Sequence, residues 1–452
     1  MKKNSLIHGN IGKALLLFVL PLIAGSLIQQ MYTTIDAIIV GQFTGKIGLA
    51  AIDSVHTLFK FPINFMNGLA AGATIMISGY FGAKDKEGMY CAIRTALLVA
   101  AILGIICSVG GVILSPWLLQ VMSVPADIRK ETLVYCTIYF AGLWAMILYN
   151  MMAGILRSFG DSKKPLYVLI LCSLVNIAAD VLLVGVFHTG VGGAAAATVL
   201  SQIVSVVATW IVLRKSDFLE EKIRIMRIKV CKEHMGIMIK KGFPLALQSM
   251  LFPVANSIVQ ASVNTMGTNS IAAWGICDKL DLLIWLIADA MAPALTTYTA
   301  QNIGAGRYER VKKGALIGTG LSVASVSLIS IALYFGTGVI GPWFIDAKDV
   351  PILIPLVMKY MKMMAPFFIF YAVAEALSGA CCGLGETLTP MITTLLTICL
   401  FRVVCIFAVL PKYGTMECIV WIYIASWILA GMAFYVLYFR KAVKIQRNSH
   451  NL

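Results

Sequence analysis

The sequence predicts an all-α integral membrane protein with twelve transmembrane helices in two pseudo-symmetric six-helix lobes. Three observations lead there. Hydrophobic residues make up 60% of the 452-residue chain, charged residues only 13%, and the mean hydropathy is +0.88, a composition no soluble domain carries. The apolar runs continue unbroken for about 20 residues or more, the length that crosses a bilayer as a helix, rather than alternating over about ten as barrel strands do. Motifs of the first half also return in the second half at a nearly constant offset.

The runs fall in order near 13–40, 47–81, 89–115, 131–156, 165–187 and 192–214, then near 237–265, 270–302, 311–336, 354–382, 389–411 and 417–439. Within each, a helix satisfies its own backbone hydrogen bonds, as a span in hydrocarbon must. A charged stretch from Lys215 to His234 separates the two sets. The expected division is therefore 1–214 as the N-lobe, 215–236 as a cytoplasmic linker, and 237–452 as the C-lobe with a short tail. Pro21, Pro244 and Pro253 fall in the first and seventh spans, where a missing amide hydrogen allows a kink. The N-terminal MKKNSLIHGN leads into that first span without a small-residue cleavage site, so the first run is read as retained.

Positive charge sets the orientation, because cytoplasmic loops carry the excess of Lys and Arg. Most of the 36 basic residues lie on one side, among them Lys2, Lys3, Lys84, Lys86, Lys163, Lys164, Arg307, Arg310 and Arg440, while the other side holds only Lys46, Arg129, Lys130, Lys348 and Lys412. Both termini are expected to be cytoplasmic. The net charge of +15 is spread over every inner loop instead of forming one basic domain, so topology explains it and a nucleic-acid partner is excluded.

Eleven cysteines are scattered, mostly inside spans and without a CxxC pair. They read as small core residues with no histidine at zinc-ligand spacing. The adjacent Cys381 and Cys382 are poorly placed for an ordinary disulfide.

The repeat is sharpest after the fourth and tenth spans. Gly154-Ile155-Leu156-Arg157-Ser158-Phe159-Gly160-Asp161 with Pro165 matches Gly379-Ala380-Cys381-Cys382-Gly383-Leu384-Gly385-Glu386 with Pro390. Phe81-Gly82-Ala83-Lys84-Asp85 matches Ile303-Gly304-Ala305-Gly306-Arg307, and Pro21 and Ser26 match Pro244 and Ser249. Six spans per half is an even number, so both halves enter the membrane in the same direction, a parallel repeat of the kind transporters use.

Together with Gln301-Asn302-Ile303-Gly304 and Met364-Ala365-Pro366-Phe367-Phe368, these motifs make nearly the whole chain resemble the multidrug and toxic compound extrusion (MATE) transporters. Ser158 stands where that family usually has Gly. Cys382 and Glu386 replace, in the second copy, Arg157 and Asp161 of the first.

An ionisable residue within hydrocarbon costs a few kcal/mol on insertion scales, so each is a functional candidate by default. The acids inside spans are Asp36, Asp53, Asp180, Asp278, Asp281, Asp289 and Glu375, and the deeply placed bases are Lys60, Lys279 and Arg402. Asn176 and Asp180 share one helix face at i, i+4. Counted at about 1.5 Å per residue, Asp36 and Thr198 lie roughly 8 to 9 Å below the outer end and Asp180 about 12 Å. The four side chains are thus able to meet in the outer half of the first lobe, as a hard-oxygen set for Na⁺ or as a carboxyl pair that takes up H⁺. The resemblance implies the same: residues matching Asp36, Asn176, Asp180 and Thr198 form the cation-coupling site of MATE transporters that carry it in the first lobe. In the second lobe, Asp278, Lys279, Asp281, Asp289, Glu375 and Arg402, with Lys60 from the first, are expected either to line a substrate cleft or to form ion pairs such as Glu375 with Arg402 and Lys279 with a neighbouring aspartate.

The expected function is secondary active antiport. Na⁺ or H⁺ entry drives export of organic, cationic and amphipathic compounds across a prokaryotic inner membrane by alternating access of two lobes. No cofactor beyond the coupling ion is expected, and the partners are small organic substrates and the lipid bilayer. The resemblance suggests a monomer. A lipid-linked or polysaccharide flippase of the wider superfamily is the nearest alternative, but it calls for a more cationic cavity than these acids provide. A membrane-embedded enzyme is disfavoured because no HExxH, GxSxG or paired-His set falls inside the spans. A channel needs a continuous filter, which a two-lobe repeat does not suggest.

Overall fold

A computed structural model of the chain describes residues 6–216 and 231–450, the stretch 442–450 by its backbone alone. The middle of the expected linker lies outside the described residues. All regular structure among the described residues is helical.

The first two expected spans, α1 (11–44) and α2 (46–83), form one hydrogen-bonded run of 73 residues, Ile11–Ala83. At about 1.5 Å per residue such a run would be about 110 Å long, several times the ~30 Å hydrocarbon layer. Gly45 divides it, with φ 66° and ψ −164°, a conformation closed to side chains with a Cβ. The expected loop between the first two spans is thus reduced to a glycine break. The remaining spans are α3 (Lys86–Val121), α4 (Arg129–Ser158), α5 (Lys163–Val186), α6 (Gly190–Arg214), α7 (Lys232–Val263), α8 (Thr268–Leu280 with Leu282–Gly304), α9 (Tyr308–Ile340), α10 (Val350–Gly383), α11 (Leu388–Tyr413) and α12 (Met416–His450). The twelve expected helices are all present.

Four spans depart from a plain α-helix near charge or proline. The helix of α8 is interrupted at Asp281. Pro366 opens a 3₁₀ turn, Ala365–Phe367, within α10, because a proline cannot donate the next backbone bond. In α5 a π turn, Val181–Val186, begins one residue after Asp180, and α11 carries another at Leu395–Leu400. Such turns re-aim side chains and recur at functional sites.

Packing contacts divide the described residues into two compact units, one comprising Leu20–Ala246 and the other residues 6–19 together with those from 247 onward. In the first, Phe59 is the aromatic centre, with Tyr139 at 4.0 Å and Phe140 at 4.9 Å between ring centroids. In the second, Trp427 is fully buried among Phe368, Tyr423 and Trp285.

Without a hydrophobic drive between helices in lipid, small residues let backbones approach. Gly154 of α4 lies against Thr74 and the Ala70 carbonyl of α2, and its repeat counterpart Gly379 of α10 lies directly on the Ala292 backbone of α8. The four-residue spacing Gly68 to Gly72 on α2 meets Gly242 and Ala246 on α7 in the same way. The repeated motif also stops both helices alike: Gly160 (φ 81°) and Gly385 (φ 87°) follow the ends of α4 and α10 as left-handed terminators.

The motif after α8 has a structural task in the second unit. Asn302 Nδ2 donates to the carbonyls of Leu6 (3.1 Å) and Tyr298 (2.8 Å), while Arg307 and Arg310 donate to those of Ile7 (2.8 Å) and Gly9 (3.0 Å). Three side chains thereby hold the segment that precedes α1. Elsewhere large apolar side chains stand bare, Phe335 at 77% and Leu328 at 72% exposure, as lipid-facing positions do.

Candidate functional site

The first unit gathers three helices around a pair of acids. On α1, Tyr32 and Asp36 lie one turn apart; on α5, Asn176 and Asp180 do the same. Asp180 is fully buried and Asn176 is 1% exposed. The Asp36 and Asp180 carboxyl groups face each other within hydrogen-bonding range. Asp36 Oδ1, both Asp180 oxygens and both polar atoms of the Asn176 amide are buried, and with both acids ionised none has a hydrogen-bond partner among the described residues.

Polar atoms in such positions are normally paired, and two ionised carboxyl groups in contact repel by about 4 kcal/mol at 4 Å and an effective dielectric of 20. The two facing carboxyl groups, with the Asn176 amide one turn from Asp180 on the same helix, offer oxygens suited to a hard cation or to a proton shared by the two acids. Thr198 of α6 donates its hydroxyl to the Ala194 carbonyl (3.1 Å), so its oxygen keeps lone pairs but its proton is already used.

Tyr135 and Tyr139 of α4 are in electrostatic contact with Asp36, and Tyr135 with Asp180 as well. Reasoning from the sequence missed these tyrosines. The signal for Tyr32 was its i, i+4 spacing to Asp36, and for the α4 pair their own i, i+4 spacing. Toward the other end of the same helices a cavity of about 130 Å³ is lined by Gln29, Tyr32, Tyr149, Asn150, Arg157 and Gln202, among others. Arg157, part of the repeated motif, has Tyr149 as its electrostatic neighbour there and no carboxylate partner among the described residues.

The second unit holds another acidic pair. Tyr371 Oη donates to Asp289 Oδ1 at 2.9 Å, and Glu375, one turn beyond Tyr371 on α10, is in electrostatic contact with Asp289. Asp281 is 3% exposed at the break in α8, with Oδ1 unpartnered, and Asp278 is exposed.

Both expected ion pairs are corrected. Arg402 is buried at 1% exposure, but its Nε donates to Ser426 Oγ (2.8 Å), its Nη1 to Asn256 Oδ1 (3.1 Å), and its plane lies 3.9 Å over the Tyr423 ring. Glu375 instead takes Asp289 as its neighbour. Lys279 projects over the Phe344 ring at 5.7 Å, and no ion pair among the described residues joins it to Asp278 or Asp281. For Lys279 the reason is that neighbouring residues of a helix diverge in direction; for Arg402 it is that Ser426, Asn256 and the Tyr423 ring already occupy its guanidinium. Lys60 is exposed on α2.

Residues 21–182 and 244–407 each match the MatE family, so the family unit occurs twice, in the register of the repeated motifs. The chain belongs to the MatE family. Among curated MatE relatives it is 26% identical over 437 residues, 95% of this chain and 94% of the other, to the "Probable multidrug resistance protein YoeA" of Bacillus subtilis. It is also 24% identical over 346 residues, 74% of each chain, to the "FAD transporter" of Shewanella oneidensis. Among solved structures it superposes with a TM-score of 0.88 at 20% identity, over 99% of both chains, on the "Outward-facing conformation of a multidrug resistance MATE family transporter of the MOP superfamily". That likeness shows a MATE transporter fold.

Proposed function

We propose that this multi-pass MatE transporter is an antiporter in which Na⁺ or H⁺, bound between Asp36 and Asp180, drives export of amphipathic organic compounds. The observation that carries the reading is the set of unpartnered buried oxygens on Asp36, Asn176 and Asp180. A cation or a shared proton removes both the repulsion and the unpaired atoms, so the site has two distinct charge states, as a coupling site requires. Asp36 sits on α1, whose lower part contains Pro21 at the edge of the cavity; occupancy of the acids is thereby linked to the lining of that space. The family resemblance supports alternating access of the two lobes, and the charge pattern of the loops supports cytoplasmic termini in a prokaryotic inner membrane.

Substrates are read as cationic, since acids outnumber bases within the spans. Arg157 at the cavity wall is the feature that would accommodate an acidic substituent on a zwitterionic compound. The second reading places coupling at Asp289, Tyr371 and Glu375, on the strength of their contact in the second unit.

The test is efflux of a fluorescent cationic dye from proteoliposomes under an imposed Na⁺ or H⁺ gradient. Loss of gradient-driven efflux in both Asp36→Asn and Asp180→Asn places coupling in the first lobe, and the effective gradient names the ion. Efflux that survives both substitutions sinks the first-lobe site and moves coupling to the Asp289–Glu375 pair.

A further inference from the structure

We infer that Cys91, Cys231 and His234 form a binding site for a thiophilic divalent ion of the zinc class at the junction of α3 and α7. The cysteines are expected to be isolated core residues without a histidine at ligand spacing, but the fold brings Cys91, Cys231 and His234 together. Cys231 directly precedes α7, His234 lies in its first turn, and Cys91 lies near the start of α3. One ligand atom from each of the three falls within 4.8 Å of the others. A tetrahedral ion with Zn–S about 2.3 Å and Zn–N about 2.0 Å holds such donors roughly 3.5 to 3.8 Å apart, and the fourth position is open to water.

Two further observations point to a ligand. Among the described residues neither buried ring nitrogen of His234 has a hydrogen-bond partner, an unusual state for an imidazole and the one a metal bond resolves. Arg94, one turn beyond Cys91 on α3, likewise has a buried Nε without an acceptor, and a pair of thiolates would supply the negative charge it lacks. Tyr80 closes one side, its ring centroid 5.2 Å from that of His234.

In the structure Cys91 and Cys231 are joined as a disulfide, with Cα atoms 6.5 Å apart, a separation that also suits two ligands of one ion. A thiol or phosphine reductant breaks the S–S bond by adding two electrons and two protons and is itself oxidised. Metal binding then releases both thiol protons and involves no electron transfer. The site lies on the side where the basic loops gather, and in a reducing cytoplasm the dithiol is the prevailing form; that last step rests on the orientation proposed above. A bound ion would tie the start of α7, just after the linker, to α3.

The experiment uses the full chain in detergent with a phosphine reductant, titrated with Co²⁺ as a spectroscopic substitute and then with Zn²⁺. The site predicts about one ion per chain and a thiolate-to-cobalt charge-transfer band. That band falls by about half in Cys91→Ser or Cys231→Ser, vanishes in the double variant, and changes its ligand-field pattern in His234→Gln. Monodispersity of each variant on size exclusion checks folding, and the His234→Gln spectrum gives a readout that leaves both cysteines in place. Absence of binding, or an unchanged band in the double variant, overturns the site. Intact cells quenched with a thiol-blocking reagent separate the two readings. Blocked, metal-competent thiols support the site in the cell, whereas a fully formed Cys91–Cys231 disulfide alongside metal binding in vitro overturns the cytoplasmic orientation and with it cellular occupancy.

Discussion

Replacing Asp180 with asparagine keeps the shape of the side chain and removes one of two charges that face each other. With both carboxyl groups ionised, their repulsion at about 4 Å and an effective dielectric near 20 is on the order of 4 kcal/mol, an upper bound because Asp36 is only half buried. Asp180→Asn should therefore raise the stability of the cation-free protein, by about 1 to 2 kcal/mol once the poorer packing of an unpartnered amide is set against the relief. The same substitution removes a charged ligand from a buried site, which costs about 2 to 5 kcal/mol of affinity, or roughly 30-fold and upward in Kd. The two effects have opposite signs. Wild type should unfold at higher temperature as the coupling ion is added, by up to about 2.7 kcal/mol at a concentration of 100 Kd. Asp180→Asn should start higher and respond little. Thermal unfolding of detergent-purified protein, followed by tryptophan fluorescence in NaCl against choline chloride at several pH values, reads both. A variant less stable than wild type without the ion, or one that keeps the full ion-dependent shift, would refute the argument that these carboxyl groups share one cation or proton.

Gly379→Leu should destabilise by about 3 kcal/mol or more, because any side chain there meets the Ala292 backbone. Gly79→Ala, with open space around its Cβ position, should change stability by no more than about 1 kcal/mol; thermal unfolding compares them. Arg402→Lys should lose about 2 kcal/mol, since an ammonium cannot serve Ser426, Asn256 and the Tyr423 ring at once, and chemical denaturation in mild detergent measures the loss. Arg310→Ala should release the segment before α1 from the Gly9 carbonyl and part of its hold on Asn302. Hydrogen exchange of residues 6–10 should then rise about tenfold while that of α9 stays unchanged, since one such bond contributes about 1.5 kcal/mol.

Residue chemistry and spacing were enough to read the span number, the parallel duplication and the family, because a bilayer imposes length and apolarity on each helix independently of its neighbours. The i, i+4 spacing of Asn176 and Asp180 also marked one face of α5 before any neighbour was known. Depth counting then brought Asp36 to a similar depth from another helix. Which charges touch was a different matter. Glu375 faces Asp289 and Tyr371 rather than Arg402, Lys279 finds an aromatic ring, and Cys91 meets Cys231 and His234 across more than a hundred residues. Those partnerships depend on the rotation of each helix about its axis and on close approaches such as Gly379 on Ala292. Such rotations are chosen by packing among several helices at once, and hydropathy, which reports only that a segment is buried in lipid or protein, carries no record of them.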